Sequence, residues 1–184
     1  MNIDTFFSQP FSETAYSQVQ ESDWLDAGTL SIVSTRISIG DAILFPGDQA
    51  EFEIVNGLYT IQAKGIDYGN HRRISRLRAF HTPSRFDTSY FASISVDFAV
   101  VGICDPTVFL QALKHNTKEG TDLTLYKTLY SDPLEALYGA ITLDNQQMIF
   151  VKSGWGDGHY DIYQLHSGGQ LLGLETVFID PKDQ

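Results

Sequence analysis

Short segments in which apolar residues recur at every second position are the feature that most constrains how this chain can fold. The clearest is Phe91–Ile103, whose apolar side chains alternate with Ser93, Ser95 and Asp97. Such alternation predicts a β-strand with one buried face. Other segments rich in β-branched and aromatic residues predict two strands within Thr29–Phe45, separated by a turn at Gly40–Asp41, and strands at Phe52–Ala63, Ile74–Phe80, Met148–Val151, Tyr160–Leu165 and Leu171–Ile179.

Helix and turn signals lie between these segments. Asp105 is a favourable N-cap residue, Pro106 suits the first position of a helix, and the apolar residues that follow recur at helical spacing. The same periodicity predicts a helix over Leu123–Tyr130, and a short one from Asp132 to Gly139. Two central glycines in Ser167–Gln170 predict a hairpin turn.

The order of these elements, with helices between two groups of strands, predicts an α+β protein. We expect a mainly antiparallel β-sheet, sandwich-like or strongly curved, with one or two helices inserted between strands, and not an alternating βαβ fold. The 184 residues suffice for one domain with a hydrophobic core. Residues 1–28 are predicted to be a partly ordered N-terminal arm, since they carry acidic residues without any Lys or Arg; residues 29–184 form the domain.

The charge of the chain excludes some functions and favours others. With 23 Asp and Glu against 12 Lys and Arg, the formal net charge of -11 argues against nucleic acid and favours a basic partner. The alternative is that the acidity only keeps the protein soluble.

No apolar run is long enough to cross a bilayer and the first residues lack a signal-peptide pattern, so we expect a cytoplasmic location without membrane contact. The single cysteine, Cys104, predicts a buried, unreactive thiol.

The most distinctive segment is Ser153–Tyr160, in which three glycines alternate with Trp155, Asp157 and His159. Glycine allows a sharp bend that holds Trp155 and Asp157 in a fixed orientation, as in a recognition loop. The alternative is a purely structural bend between two strands, with Trp155 covering the edge of the core.

A second group of candidate residues combines arginines with aspartates. Arg76 and Arg78 share one face of a predicted strand, and with Asp97, Asp105 and Asp157 they would line an alternative pocket for a substrate or an acidic ligand. The simpler alternative is that Asp105 only caps a helix and the arginines neutralise carboxylates. Common hydrolase, kinase, dinucleotide and metal-ligand motifs are absent from the sequence, so we predict no catalytic residue, no cofactor and no metal site.

The run Gly154–Tyr160 (GWGDGHY), followed by a strand, a Gly-rich turn and a terminal Val177–Phe178 strand, resembles the bacterial domain of unknown function 4241 family. Shorter blocks agree with that family in order: Gly40–Asp41, Asn56–Tyr59, Ser75–Arg78 and Val96–Asp105. The resemblance covers about Leu30 to Ile179. It implies no established reaction, and it implies a small protein of the kind associated with bacterial toxin and immunity gene neighbourhoods.

These observations favour a non-catalytic protein-binding module, most concretely a bacterial immunity protein that neutralises a basic toxin by stoichiometric binding, as a monomer or a homodimer. The predicted contact residues are exposed acids, which attract a basic partner, and aromatics, which anchor it: Asp23, Trp24, Asp26, Trp155 and Asp157. One alternative is an enzyme or small-ligand sensor built on the Asp/Arg pocket. The other is a homo-oligomeric scaffold that associates through an open sheet edge.

Overall fold

The structure is a computed structural model that describes residues 2–10, 19–116 and 137–183. In chain order its elements are α1 (Ile3–Ser8), β1 (Gln20–Glu21), β2 (Leu25–Ile32), β3 (Arg36–Asp41), β4 (Gln49–Glu53), β5 (Gly57–Asp67), β6 (Arg72–Phe80), β7 (Asp87–Val96), β8 (Val100–Cys104), α2 (Pro106–Asn116), β9 (Tyr138–Leu143), β10 (Gln146–Lys152), β11 (Gly158–Ser167), β12 (Gln170–Val177) and a closing 3-10 turn, Pro181–Asp183.

The strands form two sheets. The larger, strongly curled sheet has the order β1-β5-β6-β12-β11-β7, with β2 also beside β5. The smaller sheet has the order β4-β3-β8-β10-β9. Each ladder between these strands is antiparallel. The predicted α+β class, with a mainly antiparallel and curved sheet and helices inserted among strands, is confirmed.

Two hydrophobic clusters arrange the elements in three layers. The main core lies between the sheets, where residues such as Ile61, Leu77 and Ile162 of the larger sheet pack with Ile39 and Val101 of the smaller one. The second cluster lies between the smaller sheet and α2, with residues such as Met148, Phe109 and Leu113. The smaller sheet is therefore covered on both faces. The outer face of the larger sheet, on the side away from the main core, carries a cleft.

Helix α2 confirms the predicted start at Pro106. Asp105 caps it, because its Oδ1 accepts hydrogen bonds from the backbone N–H groups of Thr107 and Val108 at 3.1 and 3.3 Å. Phe109 and Leu113 are buried against the smaller sheet, as the helical spacing predicts. Neither described helix is long and apolar enough to cross a membrane.

The predicted turn at Gly40–Asp41 is wrong. Both residues belong to β3, and the chain turns earlier, between β2 and β3, where Thr35 has a φ of +61°. The Asp41 side chain is buried, and its Oδ1 accepts from the N–H groups of Ile43 and Leu44 beyond the strand. The turn signal in the sequence therefore came from Asp41, whose side chain binds the backbone of the segment that follows β3.

The predicted continuous strand Phe91–Ile103 is also wrong, because the structure divides it into β7 and β8. The two strands belong to different sheets, and the chain passes between them at residues 97–99, where Ala99 has a φ of +55°. Oδ2 of Asp41 accepts from the N–H groups of Asp97 and Phe98 at 2.8 and 3.0 Å and so fixes this crossing. Apolar alternation continues across it, so the pattern by itself does not show the break.

Three other segments complete the comparison. The predicted helix Leu123–Tyr130 lies outside the described residues, and so does most of the predicted helix from Asp132, although Tyr138 and Gly139 at its end belong to strand β9. The hairpin of β9 and β10, with its turn at Asp144–Asn145, was not predicted. The turn at Ser167–Gln170 is confirmed, with φ of +58° and +81° at its glycines.

The N-terminal residues described in the structure lie on the domain. Ile3 of α1 and Leu25 at the start of β2 are both buried in the main core, and β1 pairs with β5. The division into an arm of residues 1–28 and a domain of residues 29–184 stays a prediction.

Candidate functional site

The loop between β10 and β11 is held by a dense set of internal hydrogen bonds. The Ser153 hydroxyl donates to the Gly156 carbonyl at 2.7 Å, and the Gly156 N–H donates to the Ser153 carbonyl at 2.6 Å. The hydroxyl of Tyr160 donates to the same Gly156 carbonyl at 2.7 Å. Gly154 has a φ of +32°, and a Cβ at this position would lie 2.8 Å from the Cβ of Phe178, so only glycine fits without displacing its neighbours.

Trp155 lies on this rigid loop with 51% of its surface exposed. Its ring centroid lies 4.5 Å from Cζ of Arg73 and 5.2 Å from the ring of Tyr68, and Tyr68 in turn stacks on His71. Nη1 of Arg73 donates to the Gly154 carbonyl at 2.9 Å, which ties strand β6 to the loop. We call Tyr68, His71, Arg73, Trp155 and the exposed Asp157 the Trp155 patch.

Two polar atoms of the Trp155 patch are buried without a hydrogen-bond partner in the described part of the chain. They are Nε of Arg73 and Nε2 of His71. A buried polar atom that lacks a partner costs roughly 1–3 kcal/mol of stability. The patch therefore has hydrogen-bonding capacity that the described chain does not use.

The outer face of the larger sheet contains a cleft with a volume of about 390 Å³. We call it the outer cleft. Its lining residues are Glu21, Trp24, Lys64, Arg76, Arg78, Ser84, Phe86, Thr88, Leu165 and Glu175.

Most of the charges in the outer cleft are paired with each other. Glu21 accepts hydrogen bonds from Lys64 at 2.8 Å, from the Ser75 hydroxyl at 2.8 Å and from Nε of Arg76 at 3.2 Å. Burial alone would raise the pKa of Glu21, but these hydrogen bonds and the charges of Lys64 and Arg76 outweigh it and lower the pKa. Nη1 of Arg76 also donates to Glu175 at 3.3 Å. Burial dominates at Glu175 and raises its pKa despite the charge of Arg76.

Arg78 has a different environment from Arg76. Its Nε and Nη2 both donate to the neutral Oε1 of Gln62, at 3.1 and 2.7 Å. The guanidinium lies on the ring of Trp24, with Cζ 3.8 Å from the centroid. Burial lowers the pKa of Arg78, and the charge of Glu175 offsets only part of this effect.

The structure places the predicted contact residues at two locations. Asp23 is exposed between β1 and β2 beside Trp24, which lines the outer cleft, and Asp26 is exposed on β2. Trp155 and Asp157 lie on the Trp155 patch. Each tryptophan stacks on a different arginine of β6: Trp24 on Arg78 and Trp155 on Arg73.

The alternative pocket predicted from the sequence is not assembled. Arg76 and Arg78 line the outer cleft, whereas Asp105 is buried at the start of α2 and binds the β2–β3 loop through the N–H groups of Val33 and Ser34. Asp97 is exposed at the crossing between the sheets, and Asp157 is exposed on the Trp155 loop. Backbone donors engage Asp105 and Asp41, so these carboxylates hold loops together.

The structure shows the surroundings of Cys104 and of the residue types that bind metal ions. Cys104 is buried, as predicted; its Sγ lies 3.3 Å from the Ser38 hydroxyl, and burial raises its pKa to about 12. In the described ranges no group of three or more His, Cys, Asp or Glu residues is placed to hold a metal ion.

Sequence reasoning missed Tyr68 and Glu21, and it did not connect Arg73 with Trp155. Tyr68 and His71 meet because the chain reverses between β5 and β6, where Gly69 has a φ of +85°. The Gly69–Asn70 pair is a turn signal that could have revealed this contact. The contact of Arg73 with Trp155 joins residues far apart in the chain, and no local pattern indicates it.

No family model, curated protein or solved structure matches this chain. The resemblance to the domain of unknown function 4241 family stays a prediction.

Proposed function

We propose that this protein is a binding module for one partner protein and that the Trp155 patch is its main contact surface. The observation that carries the proposal is a large indole that is half-exposed and yet fixed in place. Its loop is closed by the hydrogen bonds of Ser153, Gly156 and Tyr160, and the ring lies against Arg73. A side chain that is already ordered loses little conformational entropy when a partner covers it.

The composition of the Trp155 patch supports this role. Tryptophan, tyrosine and arginine are the residues most enriched among those that dominate the energy of protein interfaces. Backbone or side-chain groups of a partner could also bond Nε of Arg73 and Nε2 of His71 after a small movement of Trp155. The patch thus offers both apolar area and unused hydrogen-bonding groups.

The net charge of -11 makes a basic protein the best partner by charge. Exposed carboxylates, among them Asp157 in the patch and Asp23 and Asp26 elsewhere, would attract it. The most concrete version of the proposal is a cytoplasmic bacterial immunity protein that occludes the active site of a basic toxin at one-to-one stoichiometry.

The test is a comparison of three variants. The tagged wild-type protein, Trp155→Ala and Leu58→Ala are incubated with lysate of the organism that encodes them; proteins retained at moderate salt are identified by mass spectrometry and then measured by calorimetry. Leu58 is the control, because it is a 61% exposed apolar residue outside the patch. We expect the wild type to retain one basic protein at equal stoichiometry. Trp155→Ala should weaken the affinity for this protein at least about thirtyfold, and Leu58→Ala should leave it unchanged. The proposal would be contradicted if the wild type retained no partner at micromolar concentration, or if Trp155→Ala left the affinity for the partner unchanged.

A second candidate function is self-association through β7. This strand is the last of the larger sheet, and residues 87–91 are all exposed, including Tyr90 at 61% and Phe91 at 42%. Light scattering tests it: a dimer of the wild type that Tyr90→Lys converts to monomer supports an edge-to-edge interface. A wild type that stays monomeric at about 100 μM would argue against it.

A further inference from the structure

We propose that the outer cleft binds a small organic monocarboxylate, whose carboxylate pairs with Arg78 and whose apolar part lies between Trp24 and Phe86. This site is independent of the Trp155 patch and of any protein partner that the patch binds.

Not every cation in the outer cleft is paired with a carboxylate. Three cations, Lys64, Arg76 and Arg78, face two carboxylates, Glu21 and Glu175. Lys64 and Arg76 form the ion pairs with these two acids, at 2.8 to 3.3 Å. Arg76 also lies 3.7 Å from Asp180, a carboxylate outside the lining. Arg78 has no carboxylate within ion-pair distance among the described residues, so it is the cation of the lining that forms no ion pair there.

Arg78 has free donors along one edge of its guanidinium. Gln62 occupies Nε and one N–H of Nη2, whereas Nη1 has no hydrogen-bond partner among the described residues. The edge formed by Nη1 and the second N–H of Nη2 is therefore free, and this pair of parallel donors matches the two oxygens of a carboxylate. The ring of Trp24 under the guanidinium fixes its plane.

The guanidinium of Arg78 is also partly desolvated. Burial lowers the pKa of Arg78, which means that its charge has lost more hydration than nearby charges restore. An anion that arrives at the free edge regains part of that loss. A site that already holds a partly desolvated cation gains more from an anion than an exposed arginine does.

The size and lining of the outer cleft suit a small organic molecule. A volume of about 390 Å³ lies in the range of small-molecule sites, and the lining combines Trp24, Phe86 and Leu165 with the hydroxyl-bearing Ser84 and Thr88. The apolar residues would contact the body of the ligand. Glu21 and Glu175 oppose a second negative charge, so the site favours a carboxylate over a phosphate dianion.

The experiment uses phenylacetate as probe, with phenylacetamide as its neutral counterpart of the same shape and phenyl phosphate as the dianion. Binding is followed on the indole N–H signals of the two tryptophans by NMR, and Trp155→Phe assigns them. We expect phenylacetate to bind with a millimolar or lower Kd and to shift the Trp24 signal while the Trp155 signal stays in place. Phenylacetamide and phenyl phosphate should bind at least about tenfold more weakly, because they lack the single charge that Arg78 requires.

Variants locate the site. Arg78→Gln should weaken the affinity for phenylacetate at least about tenfold. The control, Arg36→Gln, removes an exposed arginine of the smaller sheet and should leave this affinity unchanged. Equal affinity for acid and amide, a shift of Trp155 in place of Trp24, tighter binding of phenyl phosphate, or no binding at about 5 mM would each overturn the proposal. The acid-to-amide comparison uses only the wild type, so the test holds even if Arg78→Gln does not fold.

Discussion

Gly154 decides the orientation of Trp155. With its φ of +32° and its position against Phe178 and Ile179, it occupies a place that a Cβ enters only by displacing both neighbours. The result is a loop whose shape follows from packing as much as from the hydrogen bonds inside it.

Substitution of Gly154 should therefore lower the free energy of unfolding far more than substitution of a glycine that has a positive φ but no close neighbours. We expect Gly154→Ala to lower the free energy of unfolding by about 2–4 kcal/mol, combining left-handed strain with overpacking. Gly168→Ala is the control: its φ is +58° and nothing lies within 4 Å of the added Cβ, so about 1 kcal/mol is expected. Urea denaturation gives both values, and equal losses for the two variants would show that the contacts with Phe178 and Ile179 are unimportant.

At the level of elements, two buried aspartates connect pieces of the fold that the hydrophobic pattern does not join. Asp41 binds the crossing between β7 and β8, and Asp105 binds both the start of α2 and the β2–β3 loop. Each carboxylate accepts hydrogen bonds from backbone N–H groups of a segment more than fifty residues away in the chain.

Asp105→Asn should be nearly as damaging as Asp105→Ala. Both carboxylate oxygens of Asp105 accept hydrogen bonds, four from backbone N–H groups and one from the Ser34 hydroxyl, so an amide –NH₂ in either orientation would face donors. We expect each variant to lose about 2–4 kcal/mol of unfolding free energy, against less than about 0.5 kcal/mol for the exposed Asp26→Asn. Thermal or urea unfolding measures this; an Asp105→Asn variant as stable as wild type would show that the hydrogen bonds to Val33 and Ser34 contribute little.

The ion pairs that join β1 to β5 and β6 make a pH-dependent contribution. Because the folded protein lowers the pKa of Glu21 below its usual value of 4.5, the stabilisation is complete above that pH and is lost as the pH falls through the folded-state value. We expect Glu21→Gln to destabilise by about 1–3 kcal/mol at pH 7 and by clearly less near pH 3.

The control for Glu21→Gln is Glu51→Gln. Glu51 pairs with Arg36 on the surface, where the two side chains are 35% and 52% exposed, so its loss should cost less than about 1 kcal/mol at pH 7. Urea titrations of the three proteins across this pH range give the comparison. A difference between wild type and Glu21→Gln that does not narrow in acid would mean that the charge of Glu21 is not its source.

On the scale of the whole molecule, the charge of -11 should act on the rate of partner binding, while Trp155 acts on the lifetime of the complex. Raising NaCl from 0.1 to 1 M shortens the screening length from about 10 to about 3 Å and should slow association of a basic partner about tenfold. Trp155→Ala should mainly speed dissociation. Surface plasmon resonance separates the two rates, and a salt-independent association rate would remove the electrostatic part of the proposal.

The sequence by itself determined the class of the fold and several of its local structures. Strand β6, helix α2 with its Asp105 cap and the Ser167–Gln170 turn all depend on residues close together in the chain, and local periodicity and capping chemistry report them. The burial of Cys104 follows for the same reason, because it ends an apolar strand.

Tertiary structure alone decided which strands share a sheet and which side chains meet. The break at residues 97–99 interrupts no apolar pattern; it depends on Asp41, more than fifty residues earlier. Arg73 contacts Trp155, and Glu21 contacts Arg76, although each pair is also more than fifty residues apart in the chain. Such contacts are set by the register and curl of the larger sheet. The three aspartates of the predicted pocket therefore lie away from its two arginines, Arg76 and Arg78, which line the outer cleft beside Trp24.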